Sequence, residues 1–136
     1  VWLMPDSSHP WNSYIPGVPA HLTIKSHLDH GAAQDLLMSL SRDAEVILVE
    51  LVGDLIQTEL NGFYALEHRV RICDTTVPSW WPQGAHISFG YRYGEPFRQA
   101  EVEKTRQSIV CRSAVLSHVQ HRLCSGPFGE AWIEVR

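Results

Sequence analysis

Residues 21–24 and residues 86–89 carry the same arrangement of side chains: a histidine, an aliphatic residue, a hydroxyl residue and a hydrophobic residue. In a β-strand successive side chains alternate between faces, so the histidine and the hydroxyl of each segment share one face. If the two strands lie side by side, two imidazoles and two hydroxyls meet in one cleft. Imidazoles supply a general base and a general acid, and hydroxyls donate hydrogen bonds to phosphate oxygens. These groups suit the cleavage of a phosphodiester without a metal ion, and they are His21, Thr23, His86 and Ser88.

The competing interpretation is that these histidines are ordinary surface or core residues. The chain contains 8 histidines, so roughly one histidine-x-hydroxyl match is expected by chance. Both segments, however, have strand character and matching apolar flanks, and they lie in different halves of the chain. These features together favour a paired site.

Length and composition predict one globular domain that spans residues 1–136. Hydrophobic residues make up 44% and charged residues 19%, and no segment approaches the ~18 consecutive apolar residues of a membrane span. The net charge of −4 provides no positive field for long nucleic acid, but it allows a nucleotide or short oligonucleotide in a local pocket. We expect a monomer that binds no membrane.

Cysteine usage favours a reducing, cytoplasmic location. The chain has 3 cysteines, an odd number without paired spacing, so neither a disulfide framework nor a structural zinc site is expected. Two histidine pairs at three-residue spacing are interpreted as surface or strand-edge residues rather than metal ligands. These pairs are His27 with His30 and His118 with His121. No cofactor is predicted.

The pattern of apolar and turn residues predicts an α+β protein. Strands are predicted at residues 1–4, 20–26, 45–60, 63–72, 85–93, 115–124 and 128–135, and helices at about 29–42 and 96–111. Asn61-Gly62 indicates a hairpin and Gly53-Asp54 a bulge or turn. Each motif strand is followed by a helix and then by a hairpin, which is a pseudo-repeat in element order.

With these two motifs in this element order, the chain resembles the 2H phosphoesterase superfamily, which is named for two His-x-Ser/Thr motifs. Residues 1–5 and 20–24 are most similar to its small 2′,3′-cyclic nucleotide phosphodiesterase branch. The resemblance implies a bilobal, pseudo-symmetric fold with two antiparallel sheets around a central cleft and helices outside. It also implies metal-independent hydrolysis of cyclic phosphates. The roles it implies are general acid for His21, general base for His86, and phosphate binding for Thr23 and Ser88.

Two other functions stay open. The same superfamily includes phosphodiesterases that cut 2′,5′-linked oligoadenylates, some of them viral. The chain begins at Val1 rather than at methionine, as we expect of a domain excised from a longer polypeptide such as a viral polyprotein. From a different class, a non-catalytic nucleotide-binding module would keep the fold and the pocket. The histidine and hydroxyl present in both motifs argue against that module.

Four further side chains are candidates for substrate contact. Tyr91 matches an aromatic residue that follows the second motif in the superfamily, but its odd offset from His86 requires a bulge or a strand end near Gly90. Trp80 and Trp81 lie in a loop and either stack on a nucleobase or anchor the loop to the core. The fourth, Lys25, shares the strand parity of the first motif and is expected at the cleft rim, where it would attract phosphate.

Overall fold

A computed structural model describes residues 1–14, 19–26, 28–42, 47–73, 76–120, 122–124 and 132–134. Within these residues the protein is α+β, with two α-helices, a seven-stranded antiparallel sheet and a separate two-stranded ladder. The strands are β1 (Trp2–Pro5), β2 (His21–Thr23), β3 (Ile47–Leu51), β4 (Ile56–Leu60), β5 (Phe63–Ile72), β6 (His86–Tyr93), β7 (Ser113–Gln120), β8 (Arg122–Cys124) and β9 (Trp132–Glu134). The helices are α1 (His30–Arg42) and α2 (Gln99–Ser108), and a short 3-10 helix covers Pro10–Ser13.

The large sheet has the strand order β3-β7-β1-β2-β6-β5-β4. The two motif strands β2 and β6 are therefore neighbours. In addition β3 pairs with β5. Val49 of β3 lies opposite Ala114 of β7 on one side and opposite Ile72 of β5 on the other. This pairing closes six strands into a ring. Strands β1 to β7 come from both halves of the chain and belong to one sheet, whereas the resemblance implies two sheets around a cleft.

The two faces of the sheet have different partners. Leu3, Leu22 and Ile87 lie in the main core, and the same cluster contains Val102 of α2 and Ile109, the residue that follows this helix. Leu22 and Ile87 are fully buried, and burial of such a side chain stabilises the fold by about 1.5–3 kcal/mol.

Helix α1 packs on this same side of the sheet. It contributes Ala33 and Leu40 to a smaller cluster that contacts Ile24. On the opposite face a third cluster contains Trp2 and Met4, with Tyr91 against it. The two helices therefore cover one face of the sheet, and the motif histidines belong to the other.

Local turn chemistry explains the strand boundaries on the β3–β5 side. Asn61 and Gly62 have positive φ angles of 52° and 80°, which suit the tight turn that joins β4 to β5. Gly53, with a φ of 77°, divides the predicted run at 45–60 into β3 and β4. The predicted strand at 63–72 is confirmed as β5.

Helix α2 is shorter at both ends than the predicted segment 96–111. Arg98 has an extended backbone and its N–H donates to Glu101 Oε1 at 3.0 Å, so the helix begins at Gln99. At the other end Ile109 leaves the helical region, and its N–H donates to the carbonyl of Arg106. Neither described helix is long and apolar enough to cross a membrane.

Candidate functional site

The register between β2 and β6 brings the two motifs together. His21 lies opposite Ser88 and Leu22 opposite Ile87 in an antiparallel pair. The same register continued by one residue sets Thr23 opposite His86. Directly opposite side chains lie on the same face of a sheet, ~4.5–5.5 Å apart at Cβ. Each motif histidine therefore lies beside the hydroxyl of the other motif, in an arrangement with approximate two-fold symmetry.

His21 is held in one orientation by three contacts. Its ring stacks on Trp2, with 3.5 Å between centroids and 13° between planes. Its Nδ1 lies 2.8 Å from the carbonyl oxygen of Pro19, and a carbonyl only accepts, so Nδ1 carries a proton. Its Nε2 lies 2.8 Å from the hydroxyl of Tyr91. In the neutral ring Nε2 therefore accepts a hydrogen bond from Tyr91. The side chain has 0% exposure.

Tyr91 reaches His21 through a β-bulge. The β5–β6 register shifts, so that Gly90 pairs with Leu66 while Ser88 pairs with Glu67. The extra residue is Phe89. A bulge reverses the side-chain alternation after it, and this places Tyr91 on the same face as Ser88. The structure thus contains the bulge that the odd spacing of Tyr91 required.

His86 has a more open environment than His21. Its side chain is 37% exposed, and its Nε2 lies 3.1 Å from Oε2 of Glu67. Its Nδ1 lies 3.4 Å from the carbonyl oxygen of Gly84, a weak contact. A carboxylate only accepts, so Nε2 of His86 donates to Glu67. Glu67 thus fixes the ring of His86 as a hydrogen-bond donor at Nε2.

Sequence reasoning missed Glu67. Glu67 lies in the middle of β5. It reaches the site because β5 pairs with β6 and sets Glu67 opposite Ser88. No spacing within the motifs signals this contact, since it depends on which strand lies next to β6.

The two motif hydroxyls differ in exposure: the exposed fraction of Ser88 is only 2%, and Thr23 is half-buried.

The remaining candidates lie outside the two motif strands. Trp80 and Trp81 are half-buried and pack against the main core, so both help to anchor their loop. Trp81 also lines an open groove next to His86. Lys25 is exposed two residues beyond the end of β2, and its carbonyl accepts a hydrogen bond from the Val1 ammonium at 2.8 Å.

Another buried histidine, His68, lies on the core side of the sheet. It is opposite Ile87 in the β5–β6 ladder, and its exposed fraction is 1%. Burial lowers the pKa of His68, and a hydrogen bond between its Nδ1 and the carbonyl of Arg69 partly offsets this effect. His68 thus favours the neutral form and does not face the motif residues.

The described residues contain no group of three or more histidine, cysteine or acidic side chains that could hold a metal ion. Of the histidine pairs noted in the sequence, His30 is exposed in α1 and His118 is exposed in β7. Their partners His27 and His121 lie outside the described residues.

Comparison with known proteins identifies no relative: no family model, no curated protein and no solved structure matches this chain.

Proposed function

We propose that this protein is a metal-independent phosphodiesterase that hydrolyses 2′,3′-cyclic nucleotides, with the two-motif architecture of the 2H phosphoesterases. The observation that supports this proposal is the β2–β6 register, in which His21 lies opposite Ser88. Acid–base cleavage of a phosphodiester needs two imidazoles on opposite sides of one phosphate, with donors for its oxygens between them. An antiparallel pair of His-x-hydroxyl strands meets that requirement.

The proposed reaction consumes one water molecule. Its oxygen attacks phosphorus while its proton passes to the general base. The bond between phosphorus and one ribose oxygen breaks, and that oxygen takes a proton from the general acid. The product is a phosphomonoester on the other ribose oxygen. Thr23 and Ser88 donate hydrogen bonds to the non-bridging oxygens, whose negative charge increases in the transition state. Exchange with solvent then restores both histidines.

Hydrogen bonds around the two rings support His21 as the base and His86 as the acid, the reverse of the roles that the resemblance implies. His21 donates from Nδ1 to Pro19, which leaves Nε2 as an acceptor for a proton. His86 donates from Nε2 to the Glu67 carboxylate, so its Nε2 carries a proton, as that of a general acid must.

Tyr91 connects the buried base to the substrate in this proposal. His21 has no exposed surface, whereas Tyr91 is half-buried and its hydroxyl lies 2.8 Å from Nε2 of His21. A hydroxyl both donates and accepts. The Tyr91 hydroxyl can therefore give its proton to His21 while it takes one from the attacking water.

A non-catalytic nucleotide-binding module is the second candidate, and one observation favours it. His21 is fully buried, stacked on Trp2 and hydrogen-bonded at both ring nitrogens, which is also the environment of a structural core histidine. Such a module binds nucleotides but releases them unchanged.

Product analysis separates these functions. The protein is incubated in EDTA with 2′,3′-cyclic nucleotides and, separately, with 2′,5′-linked oligoadenylate, and the products are resolved by chromatography. We expect a 2′- or 3′-monophosphate from the cyclic substrate. A His21→Asn/His86→Asn double variant serves as the inactive control. Cleavage of the oligoadenylate alone would assign the 2′,5′-phosphodiesterase activity instead. Binding without turnover in both arms would assign the module.

A further inference from the structure

An open groove begins beside His86. Strand β5 extends beyond the start of β6: Arg69 lies opposite His86, and the N–H of Val70 donates to the carbonyl of Ala85 at 3.1 Å. From this point the loop before β6 leaves β5, and a groove of about 360 Å³ lies between them. We refer to this space as the Arg69–Trp81 groove. Its walls are residues 69–72 of β5 and residues 77 and 81–85 of the loop.

One wall of the groove is cationic. Arg69 and Arg71 alternate with Val70 and Ile72 along β5, so both guanidinium groups start from the face that carries His86. Arg71 pairs with Glu50. Within the described part of the chain Arg69 forms no salt bridge, and its side chain is exposed. Arg69 therefore offers a local positive charge in a protein whose net charge is −4.

The opposite wall provides an aromatic surface. Trp81 is half-buried and packs against the main core, and its backbone N–H donates to the carbonyl of Pro78 at 3.0 Å. The core contact holds the indole at the side of the groove, and the backbone hydrogen bond fixes the turn that carries it. A guanidinium matches the geometry of phosphate, and an indole stacks on any nucleobase. The groove volume is at the lower end of the ~300–1,000 Å³ range of ligand pockets, so it suits a single nucleotide unit.

We propose that the Arg69–Trp81 groove binds the nucleotide next to the reacting phosphodiester. In this arrangement Arg69 contacts its phosphate and Trp81 stacks on its base. The substrate class is then a short oligoribonucleotide rather than a free cyclic mononucleotide. This inference rests on the proposed function, because it takes the reacting phosphate to lie between His86 and His21. The groove begins at Ala85, the residue before His86, so the chain that continues from the 5′ side of the reacting nucleotide can enter it.

The kinetic test compares two substrates with the same reacting group. One is a 2′,3′-cyclic mononucleotide, and the other is a trinucleotide that ends in a 2′,3′-cyclic phosphate. We expect kcat/KM of the wild-type protein to be at least about 10-fold higher for the trinucleotide, because its extra nucleotide adds one stacked base and one phosphate contact. Arg69→Gln and Trp81→Leu should remove most of this preference and leave the mononucleotide rate unchanged. Lys104→Gln, which removes an exposed charge from α2, is the matched control.

A binding measurement separates failure of the groove from failure of the catalytic proposal. Fluorescence anisotropy follows a 5′-labelled trinucleotide with a 3′-monophosphate, which offers no cyclic phosphate to hydrolyse. Weaker binding by Arg69→Gln and Trp81→Leu, by at least about 5-fold, supports the groove even if the wild type hydrolyses nothing. Equal rate losses on both cyclic substrates would place Arg69 at the reacting phosphate and overturn the inference. Arg69 is exposed, so Arg69→Gln removes no buried contact, and unchanged binding with an unchanged substrate preference in this variant would also overturn the inference.

Discussion

Two histidines with the same sequence context have different environments in this protein. His21 is fully buried between Trp2 and Tyr91, while His86 is 37% exposed beside Glu67. We expect His21→Ala and His86→Ala each to lower kcat on a cyclic phosphodiester by at least about 10²-fold, the usual contribution of a positioned acid or base. Steady-state kinetics with circular dichroism as a folding check measures this. Near wild-type turnover in either folded variant would exclude the two-histidine mechanism.

The two hydroxyls provide a graded comparison with the histidines. Thr23→Ala and Ser88→Ala each remove one donor to the phosphate and leave the acid and the base in place. We expect a smaller loss of kcat than for the histidine variants, below the ~2.7 kcal/mol at the lower end of the range for a lost oxyanion donor, because the other hydroxyl still donates. The same kinetic assay applies, and Ser117→Ala, at an exposed hydroxyl on β7, is the control. If both substitutions had no effect, the hydroxyls would have no part in the reaction.

The pH dependence of the single variants assigns the two roles. A reaction that needs one imidazole neutral and the other protonated gives a bell-shaped profile, whose limbs belong to the coupled pair. The acidic limb reports the base and the alkaline limb reports the acid. With His21 as base, the residual activity of His21→Ala should lose the acidic limb, and that of His86→Ala the alkaline limb. The opposite result would restore the roles implied by the resemblance.

Tyr91 is expected to act on kcat rather than on binding. Tyr91→Phe keeps the ring that packs beside Phe63, at 5.0 Å between centroids, and removes only the hydroxyl that bonds to His21. We expect kcat to fall by about 10-fold or more with KM little changed, since the relay is lost and the base is buried. Tyr93→Phe, at an exposed tyrosine on the same strand, is the control. An unchanged kcat in Tyr91→Phe would rule out the relay.

At the scale of elements, β6 and α2 are joined by one ion pair with a defined pH response. Two nitrogens of Arg92 donate to the two carboxylate oxygens of Glu101 at 2.9 and 2.8 Å. These hydrogen bonds lower the pKa of Glu101 from 4.5 to about 2. A carboxyl group with a lowered pKa stabilises the fold above its unfolded value, and that contribution is lost as the pH falls from 4.5 to about 2.

The corresponding prediction concerns Glu101→Gln. We expect it to lower the free energy of unfolding at pH 7 by about 1 kcal/mol or less, because both partners are partly exposed. The difference from wild type should shrink as the pH falls through the window from 4.5 to about 2. Urea titrations at several pH values measure it, with Asp35→Asn on α1 as an exposed carboxylate control. A difference that does not vary with pH would contradict the ion-pair account.

At the scale of the whole molecule, the motif histidines and hydroxyls lie on the helix-free face of the sheet, and its other face packs against α1 and α2. The proposed chemistry on that face comes from imidazoles and hydroxyls. We therefore expect activity to persist after exhaustive dialysis against EDTA, with metal analysis of the dialysed protein as a check. Activity that returns only after Mg²⁺, Mn²⁺ or Zn²⁺ is added would overturn a metal-independent mechanism.

Local interactions made several elements predictable from the sequence. The alternation of residues 63–72 and the turn at Asn61-Gly62 depend on neighbouring residues, and both match the structure. The same holds for α1, expected from Asp29 or Gly31 to Arg42 and found at His30–Arg42. Strand ends were less accurate: β2 covers only His21–Thr23 of the predicted 20–26, because hydrogen bonding to neighbouring strands determines where a strand stops.

The sequence by itself determined that a histidine and a hydroxyl share one face of each motif strand, because side-chain alternation is a property of a single strand. Only the tertiary structure decided that β2 and β6 are neighbours in a register that sets His21 opposite Ser88. It also decided that Glu67 lies beside His86, and that the bulge at Phe89 directs Tyr91 toward His21. These contacts join residues far apart in the chain, and they arise from pairing and core packing across the whole sheet, which no local pattern encodes.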